Sequence, residues 1–207
     1  LGRCRVRVRQ FVPRDLAGVH ELYLYNNEIE DVSTLASVRK LTLEECQNVR
    51  DVSALARVRE LTLDGCQGVT DVGALGTVHT LTLDDCSGVT DVSALGHVRK
   101  LSLSGCERVA DVSALGAVRE LDLSYCKGLC DVSALASVHT LSLEGCVNVR
   151  DVSALSRVHT LNISDCQSIE DVSALSSVHT LNISCSFAIK DKSALANVHT
   201  LYDYEFA

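Results

Sequence analysis

Methionine and tryptophan are missing from this 207-residue sequence, proline occurs once, and aromatic residues make up only 4% of it. No apolar run approaches the roughly 18 residues that a membrane-spanning helix needs. Because the chain contains no methionine at any position, we expect a processed or excised piece that has lost a signal peptide or a neighbouring domain. The shortage of aromatic side chains removes the commonest anchors of a protein interface. Surface recognition is therefore left to small and charged side chains.

One phrase of twenty residues fills almost the whole chain. Residues 61–80 read LTLDGCQGVTDVGALGTVHT, and residues 81–100 read LTLDDCSGVTDVSALGHVRK. A fixed period of this length is typical of a solenoid, in which coils stack and each buries its apolar side chains against its neighbours. We number the positions of every repeat from 1, which is its first leucine. Those leucines are Leu41, Leu61, Leu81, Leu101, Leu121, Leu141, Leu161 and Leu181, and the opening of the phrase recurs at Leu22 and Leu201.

The two halves of the repeat have different patterns. Positions 1 to 4 alternate apolar and polar residues, as a strand with one buried face does, so Leu61 and Leu63 are predicted to point inward and Thr62 outward. Position 11 is an aspartate, whose carboxylate can accept backbone N–H groups two and three residues further on and so cap a short helix. About five residues separate this cap from the valine before the next strand, which is room for one helical or 3-10 turn.

The turn after each strand is predicted to use a left-handed backbone conformation at position 8. Glycine and asparagine tolerate that conformation better than other residue types do. Other residues at this position in three coils make it a preference and not a requirement. The position holds Asn48, Gly68, Gly88, Gly128 and Asn148, with Arg108, Ser168 and Ala188 as the exceptions.

These residues resemble the leucine-rich repeat family over about nine-tenths of the chain. LTLDGCQGVTD is similar to the cysteine-containing repeats of F-box-associated proteins, whereas DVSAL is similar to the short return segment of internalin-like repeats. Asn27, in the cysteine position of the first coil, resembles the asparagine version of the family motif. The resemblance implies an α/β fold: a right-handed leucine-rich repeat solenoid with a parallel sheet on its concave face and short 3-10 or single helical turns on its convex side.

Ten cysteines raise the question of zinc and of disulfides. Structural zinc sites favour pairs such as C-x-x-C, and no C-x-x-C pair occurs here. Side chains stacked in a column run parallel and do not converge on a disulfide. We expect buried thiols that pack as small apolar groups and give weak hydrogen bonds to the turn, with Cys130 exposed and reactive. The periodic cysteines are Cys46, Cys66, Cys86, Cys106, Cys126, Cys146 and Cys166.

Polar side chains at positions 20, 2 and 4 are predicted to line the concave face, with position 19 along one edge. The amino-terminal half of this surface is densely charged and the carboxyl-terminal half is neutral. A basic edge facing an acidic one, which includes Glu45 and Asp85, could orient a protein partner; a solvated surface with ion pairs explains the same pattern. The predicted partner-binding residues are Arg39, Lys40, Glu44, Arg59, Glu60, Asp64, Asp84, Arg99, Lys100, Arg119, Glu120, Asp122, His139, His159 and His179.

Position 19 changes from mainly arginine to histidine along the chain. Histidines on adjacent strands, about 5 Å apart, could bind a metal in pairs or could repel one another below about pH 6 and act as a pH sensor. Since arginine and histidine exchange at this position, we favour a column that needs only a polar side chain, and we predict no metal and no cofactor. The column is Arg39, Arg59, His79, Arg99, Arg119, His139, His159, His179 and His199.

The predicted function is a non-enzymatic protein-interaction or scaffold module that binds a protein partner through its concave sheet. No position breaks the repeat as a nucleophile, base and stabilising group gathered in one pocket would. A passive structural spacer or surface-coat array is an alternative that explains the high internal identity. Nucleic-acid binding through a basic strip of Arg3, Arg5, Arg7, Arg9 and the arginines of position 19 is a further alternative. The net charge of −8 and the near absence of aromatic residues on the concave face disfavour it.

We expect a monomer with no membrane contact. Unpaired thiols suit a reducing compartment, which favours the cytoplasm, and the cell surface is the alternative, since surface-exposed members of the leucine-rich repeat family are common. The sequons at Asn162 and Asn182 also favour the cytoplasm, since glycans there would cover the concave face. The predicted divisions are an amino-terminal cap strand and partial repeat at 1–21, nine tandem repeats at 22–200, and the start of a carboxyl-terminal cap or a truncated repeat at 201–207.

Overall fold

The computed structural model of the protein describes the backbone of residues 4–8 and all atoms of residues 16–25 and 28–205. Within those residues, eleven strands form one parallel sheet, and each strand pairs with the strands that precede and follow it in sequence. The strands are β1 (Cys4–Val8), β2 (Val19–Tyr25), β3 (Lys40–Glu44), β4 (Glu60–Asp64), β5 (Thr80–Thr82), β6 (Lys100–Ser102), β7 (Glu120–Asp122), β8 (Thr140–Ser142), β9 (Thr160–Asn162), β10 (Thr180–Asn182) and β11 (Thr200–Tyr202).

The coils lie in register, as the repeat predicts. Leu61 pairs with Leu41 on one side and with Leu81 on the other, and Leu81 pairs in turn with Leu101. Each position of the repeat therefore forms a column of side chains that runs along the solenoid. With parallel strands about 4.8 Å apart, neighbouring members of a column are in contact distance of each other.

A 3-10 turn returns each coil to the next strand, and the predicted aspartate cap is confirmed. Asp91 Oδ1 accepts the backbone N–H of Ser93 at 2.9 Å, and the same bond recurs at 2.8 or 2.9 Å in the coil on either side of it. The described 3-10 segments are Ser33–Ser37, Ser53–Arg57, Gly73–Thr77, Ser93–His97, Ser113–Ala117, Ser133–Leu135, Ser153–Arg157, Ser173–Ser177 and Ser193–Asn197.

The core consists of seven apolar columns that strands and 3-10 turns enclose between them. Each fully buried leucine or valine removes enough apolar surface from water to contribute about 1.5–3 kcal/mol. Because a single coil has too few of these side chains to form a core, the stability of one coil depends on its neighbours. In the coil that begins at Leu81 the buried side chains are Leu81, Leu83, Cys86, Val89, Val92, Leu95 and Val98, all at most 1% exposed.

The left-handed residue of each turn stands at position 5, so the prediction of position 8 is wrong. Asn48, Gly68, Gly88, Gly128 and Asn148 all lie outside the left-handed region. Gly68 is small for another reason: a Cβ atom there would come within 2.6 Å of two carbonyl oxygens of the preceding coil, those of Gln47 and Val49. The residues with φ between 52° and 72° are Glu45, Gly65, Asp85, Gly105, Tyr125, Gly145, Asp165 and Cys185.

The periodic cysteines are buried as predicted, but their hydrogen bonds run to the strand of the preceding coil and not chiefly to the turn. Cys86 Sγ donates to the carbonyl oxygen of Leu63 at 2.9 Å, and Cys106 Sγ donates to that of Leu83 at 3.0 Å. No disulfide joins the nine cysteines whose side chains the structure describes. In the coil that begins at Leu181, Ser186 takes the place of the cysteine, and its hydroxyl donates to the carbonyl of Ile163 at 2.7 Å.

The two ends differ from the middle of the solenoid. β1 pairs in parallel with β2, in agreement with the predicted cap strand. At the other end, Lys192 replaces a buried valine, and its ammonium group contacts both carboxylate oxygens of Asp203 at 2.8 and 2.7 Å. The hypotheses that rest on Asn27, Arg3 and Arg9 lie outside the described residues.

Candidate binding surface

The concave face is built by the strand alternation, which turns positions 1 and 3 into the core and positions 20, 2 and 4 outward. Leu101 and Leu103 are at most 3% exposed, whereas Lys100 and Ser102 beside them reach the surface. The face therefore consists of three parallel columns of polar residues on one continuous sheet.

Ion pairs between neighbouring strands use part of the charge on this face. Lys40 Nζ lies 3.6 Å from Glu21 Oε1 and 3.8 Å from Glu60 Oε2, and Lys100 Nζ lies 2.6 Å from Glu120 Oε2. All of these pairs are substantially exposed, so each contributes little to stability. Their role is to fix the positions of the charged groups on the sheet.

A hydrogen-bonded network continues along the face where the charges thin out. Asp122 Oδ1 accepts the backbone N–H of Ser124 at 2.9 Å and its hydroxyl at 2.5 Å. The Ser124 hydroxyl also lies 2.8 Å from that of Ser142, which in turn lies 3.3 Å from the Asn162 amide nitrogen. Asn162 donates to Glu144 as well, at 3.1 Å. Small polar side chains are thus held in place before any partner arrives.

Two carboxylates near the middle of the face have perturbed acidity. Burial raises the pKa of Asp84, while hydrogen bonds from Ser102 and Ser104 oppose that effect. Burial raises the pKa of Asp64 too, and the negative charge of Asp84 adds to it. Both carboxylates are stacked in one column, where like charges at strand spacing repel. A cationic group of a partner would relieve that repulsion.

A shallow groove of about 330 Å³ crosses the centre of the face, from β5 to β9. Of the predicted partner-binding residues, Lys100, Glu120 and Asp122 line it. The prediction omitted the small polar residues that make up half of its lining, although their columns were visible in the sequence. Those residues are Thr80, Thr82, Ser102, Thr140, Ser142, Thr160 and Asn162.

Seven predicted residues lie outside the groove, in the column at position 19. This column immediately precedes each strand from β3 to β11, and we call it the arginine–histidine edge. None of them lines the groove. The other five, Lys40, Glu44, Glu60, Asp64 and Asp84, lie on the concave face outside the groove. The predicted set is therefore divided between the concave face and this edge. The seven are Arg39, Arg59, Arg99, Arg119, His139, His159 and His179, and His79 and His199 complete the edge.

The expectation that the concave face has essentially no aromatic residues is wrong at the two ends of the sheet. Tyr23 occupies position 2 of the first coil, and its hydroxyl donates to Glu44. Tyr202 and Tyr204 occupy positions 2 and 4 of the last strand and are 41% and 59% exposed. The register that starts at Leu22 and Leu201 was sufficient to place them. A further aromatic residue, Tyr125, stands exposed at position 5, and its hydroxyl donates to Glu144 at 2.7 Å.

The cysteine column has no features of a reactive site. Burial raises the pKa of Cys86 and of Cys106 to about 12, so both thiols are protonated at neutral pH. Cys130 is exposed, as predicted, and its reactivity stays a prediction. Within residues 16–25 and 28–205, no three metal-ligating side chains are grouped to hold an ion. In the same part of the chain, no helix is long and apolar enough to span a membrane.

In-register coils of one short strand and one 3-10 turn, stacked on leucine columns, define a leucine-rich repeat solenoid, and that is the class of this protein. No family model matches the sequence, and neither does any curated protein. Similarity is found among solved structures. An internalin (inlF) from Listeria monocytogenes str. 4b F2365 aligns with a TM-score of 0.68 and 25% identity, over 91% of this chain and 61% of that one.

Two further structures share the fold alone. An internalin C2 of the same Listeria strain aligns with a TM-score of 0.53 and 19% identity, over 92% of this chain and 82% of that one. A complex of TLR13 with ssRNA13 aligns with a TM-score of 0.53 and 15% identity, over 93% of this chain and 30% of that one. This chain spans about three-fifths of the inlF structure.

Proposed function

We propose that the protein is a non-enzymatic interaction module whose concave sheet binds a protein partner. The observation that carries this proposal is the groove across β5 to β9, where an open sheet offers a depression lined by fixed polar groups. Recognition there would use Lys100, Glu120 and Asp122 for charge and the surrounding hydroxyl and amide groups for hydrogen bonds. The absence of catalytic activity stays a prediction.

A protein partner suits this surface better than a nucleic acid does. The net charge of −8 opposes a polyanion, and the groove carries two carboxylates beside its one lysine. No aromatic side chain lines the groove on which bases could stack. The passive spacer or surface-coat array remains the competing function, and it predicts that no partner depends on the groove.

The proposal includes a monomer in the cytoplasm, with nine repeats at 22–200, a cap strand and partial repeat at 1–21, and the start of a cap or a truncated repeat at 201–207. Asn162 supports that location, because it lines the groove and its amide donates hydrogen bonds to Ser142 and Glu144. A glycan on Asn162 would break those bonds and fill the groove. Cys130, which is exposed, also suits a reducing compartment.

The test compares two arginine substitutions of the same size and charge. Thr82→Arg places a guanidinium in the groove, whereas His97→Arg places one on the exposed 3-10 turn of the convex side. Each variant and the wild type is used to capture partners, which are then crosslinked and mapped by mass spectrometry. We expect a partner that crosslinks to the concave face, is lost by Thr82→Arg and is retained by His97→Arg. Equal capture by all three proteins would favour the spacer.

A further inference from the structure

The arginine–histidine edge is a continuous row because the coils are in register immediately before each strand. The backbone N–H of His79 donates to the carbonyl of Arg59 at 3.1 Å, and that of His139 donates to Arg119 at 3.1 Å. All members of the row are exposed except His79, which is partly exposed. The row has eight intervals from Arg39 to His199, which at about 4.8 Å each amount to about 38 Å.

Three arginines of this edge have no acidic partner among the residues that the structure describes. In residues 16–25 and 28–205, no carboxylate lies within 4.0 Å of Arg59, Arg99 or Arg119. The glutamates that could neutralise them pair instead with lysines on the neighbouring column, as Glu120 does with Lys100 at 2.6 Å. The guanidinium groups are therefore available to a ligand from outside.

The histidines of the same edge form a stack. The ring centroids of His139 and His159 are 4.8 Å apart, those of His159 and His179 are 4.6 Å apart, and those of His179 and His199 are 4.3 Å apart. Nδ1 of each ring lies 3.1 or 3.2 Å from the hydroxyl of the threonine that follows it. Nε2 has no hydrogen-bond partner in the described residues, so it is the nitrogen that a ligand can reach.

The stack is better arranged for anions than for a metal ion. Neighbouring rings are within 20° of parallel, so their Nε2 atoms point in one direction and do not converge at the roughly 2.0–2.1 Å that a metal needs. The charged groups that face His179 are His159 and His199 on the two flanking coils, and no carboxylate in the described residues lies within ion-pair distance of it. Protonation therefore adds positive charge to an edge where nothing cancels it.

We propose that the arginine–histidine edge is a second docking surface, separate from the groove, which takes an extended acidic polypeptide segment and binds it more tightly as the pH falls below about 6.5. The arginines supply a constant charge, and the histidines extend the basic row along the carboxyl-terminal half. The length of the edge corresponds to about twelve residues of extended chain. This proposal does not depend on the groove being a binding site.

A polypeptide fits the surroundings of the edge better than a nucleic acid. Each coil that carries a basic residue at position 19 also carries an aspartate at position 11, from Asp31 to Asp191. A long polyanion would be repelled by that second column and by the net charge of −8. A short acidic segment that lies on the edge alone avoids most of the repulsion.

Binding and proton uptake are coupled with a definite sign. In the free protein, the pKa of His179 is lowered. The larger cause is the loss of solvent beside the flanking rings, and the charges of His199 and His159 add to it. A carboxylate placed over the stack favours the charged imidazole and raises that pKa again. Protons are therefore taken up when the acidic segment binds, and affinity increases as the pH falls.

The test uses a fluorescent peptide of about twelve residues rich in aspartate, whose side chains stay ionised down to about pH 5. We expect its affinity for the wild type to increase about fivefold or more between about pH 7.5 and about pH 5.5 at constant ionic strength. The combined variant His139→Gln, His159→Gln, His179→Gln and His199→Gln should lose this increase but keep the affinity measured at the higher pH. The double variant Arg99→Gln, Arg119→Gln should bind more weakly at both values.

A control variant, an NMR measurement and three contrary outcomes make the proposal falsifiable. His97→Gln removes an exposed histidine outside the edge and should behave as the wild type does. In the wild type, the peptide should raise the pKa of His179 when this residue is followed by NMR, which needs no substitution. The proposal is overturned if the combined histidine variant keeps the pH dependence, if a peptide with asparagine in place of aspartate binds equally well, or if single-stranded DNA of equal charge binds more tightly.

Discussion

The ring of Tyr125 lies over Gly145 of the next coil, where a Cβ atom would come within 2.5 Å of the ring carbon Cδ1. Both residues have the left-handed conformation of position 5, with φ of 59° and 66°. Asp85 has the same relation to Gly105, whose Cβ would come within 2.0 Å of the carboxylate. A side chain on one coil thus occupies the space that the glycine of the next coil leaves empty.

The substitution Gly145→Ala is expected to lower the free energy of unfolding by about 2–4 kcal/mol, because it adds both backbone strain and a contact with the Tyr125 ring. Gly73→Ala is the control, since position 13 tolerates serine in the other coils and has an ordinary φ. Urea unfolding measures the free energy of unfolding of both variants. Removing the ring in Tyr125→Gly, Gly145→Ala should recover part of the loss, and the idea fails if Gly145→Ala costs no more than Gly73→Ala.

The Cys86 thiol is expected to be replaceable by a hydroxyl group but not by a hydrogen atom. Cys86→Ala removes the donor to the Leu63 carbonyl and leaves a small cavity, which should cost about 1–2 kcal/mol. Cys86→Ser should cost less, because Ser186 makes the equivalent bond to Ile163. Chemical denaturation under reducing conditions measures the free energies of unfolding of the wild type and the two variants. Finding the alanine variant as stable as the serine variant, or more stable, would contradict this role of the thiol.

The aspartate caps are expected to make the solenoid sensitive to acid. The Asp91 carboxylate accepts hydrogen bonds from the backbone N–H of Ser93 and, with a smaller effect, from its side-chain hydroxyl, and these bonds lower the pKa of Asp91 in the folded state. That stabilisation is present above the unfolded pKa, near about 3.9, and is lost as the pH falls through the folded value. Asp91→Asn keeps an acceptor that does not titrate. Thermal melts should show that the melting temperature falls less between about pH 5 and about pH 3 for this variant than for the wild type.

Protonation of the histidine stack is expected to lower the stability of the free protein as the pH falls below about 6.5, which is above the pH range in which the aspartate caps titrate. Because the folded-state pKa of His179 is lowered, its contribution is present above about pH 6.5, the unfolded value, and is lost as the pH falls through the folded one. His179→Gln should therefore melt closer to its neutral-pH midpoint at about pH 5.5 than the wild type does. His97→Gln provides the comparison. If both variants follow the wild type, stacking has no energetic consequence.

The repeat predicted the fold because every column rests on the same periodic pattern. Leucines twenty residues apart had to be neighbours once the coils were stacked, and Leu61 pairs with Leu81 accordingly. The capping by Asp91 and the burial of Cys86 follow from residue types whose local preferences agree with the pattern. Strand, cap and core were therefore readable from the sequence.

The turn was not readable, because its conformation depends on contacts between coils and not on residue type. Glycine at position 8 is explained by the close approach of carbonyl oxygens of the preceding coil. At position 5, Asp85 and Tyr125 adopt the left-handed conformation although they are not glycine. The groove was missed for a related reason. Its wall consists of small polar residues such as Thr82 and Ser142, which have no individual signature and matter only because five strands bring them together.

From Glu45 to Asp165, larger residues alternate with glycine at position 5, and the alternation ends where Cys185 follows Asp165. Within that stretch, it sets the step by which such an array could gain or lose coils. Deleting residues 101–120 would bring Asp85 next to Tyr125, so that two bulky left-handed residues would compete for one space. Deleting residues 101–140 would bring Asp85 next to Gly145 and restore the fit. Unequal recombination within a gene of this kind is therefore expected to leave viable descendants more often when coils are exchanged in pairs.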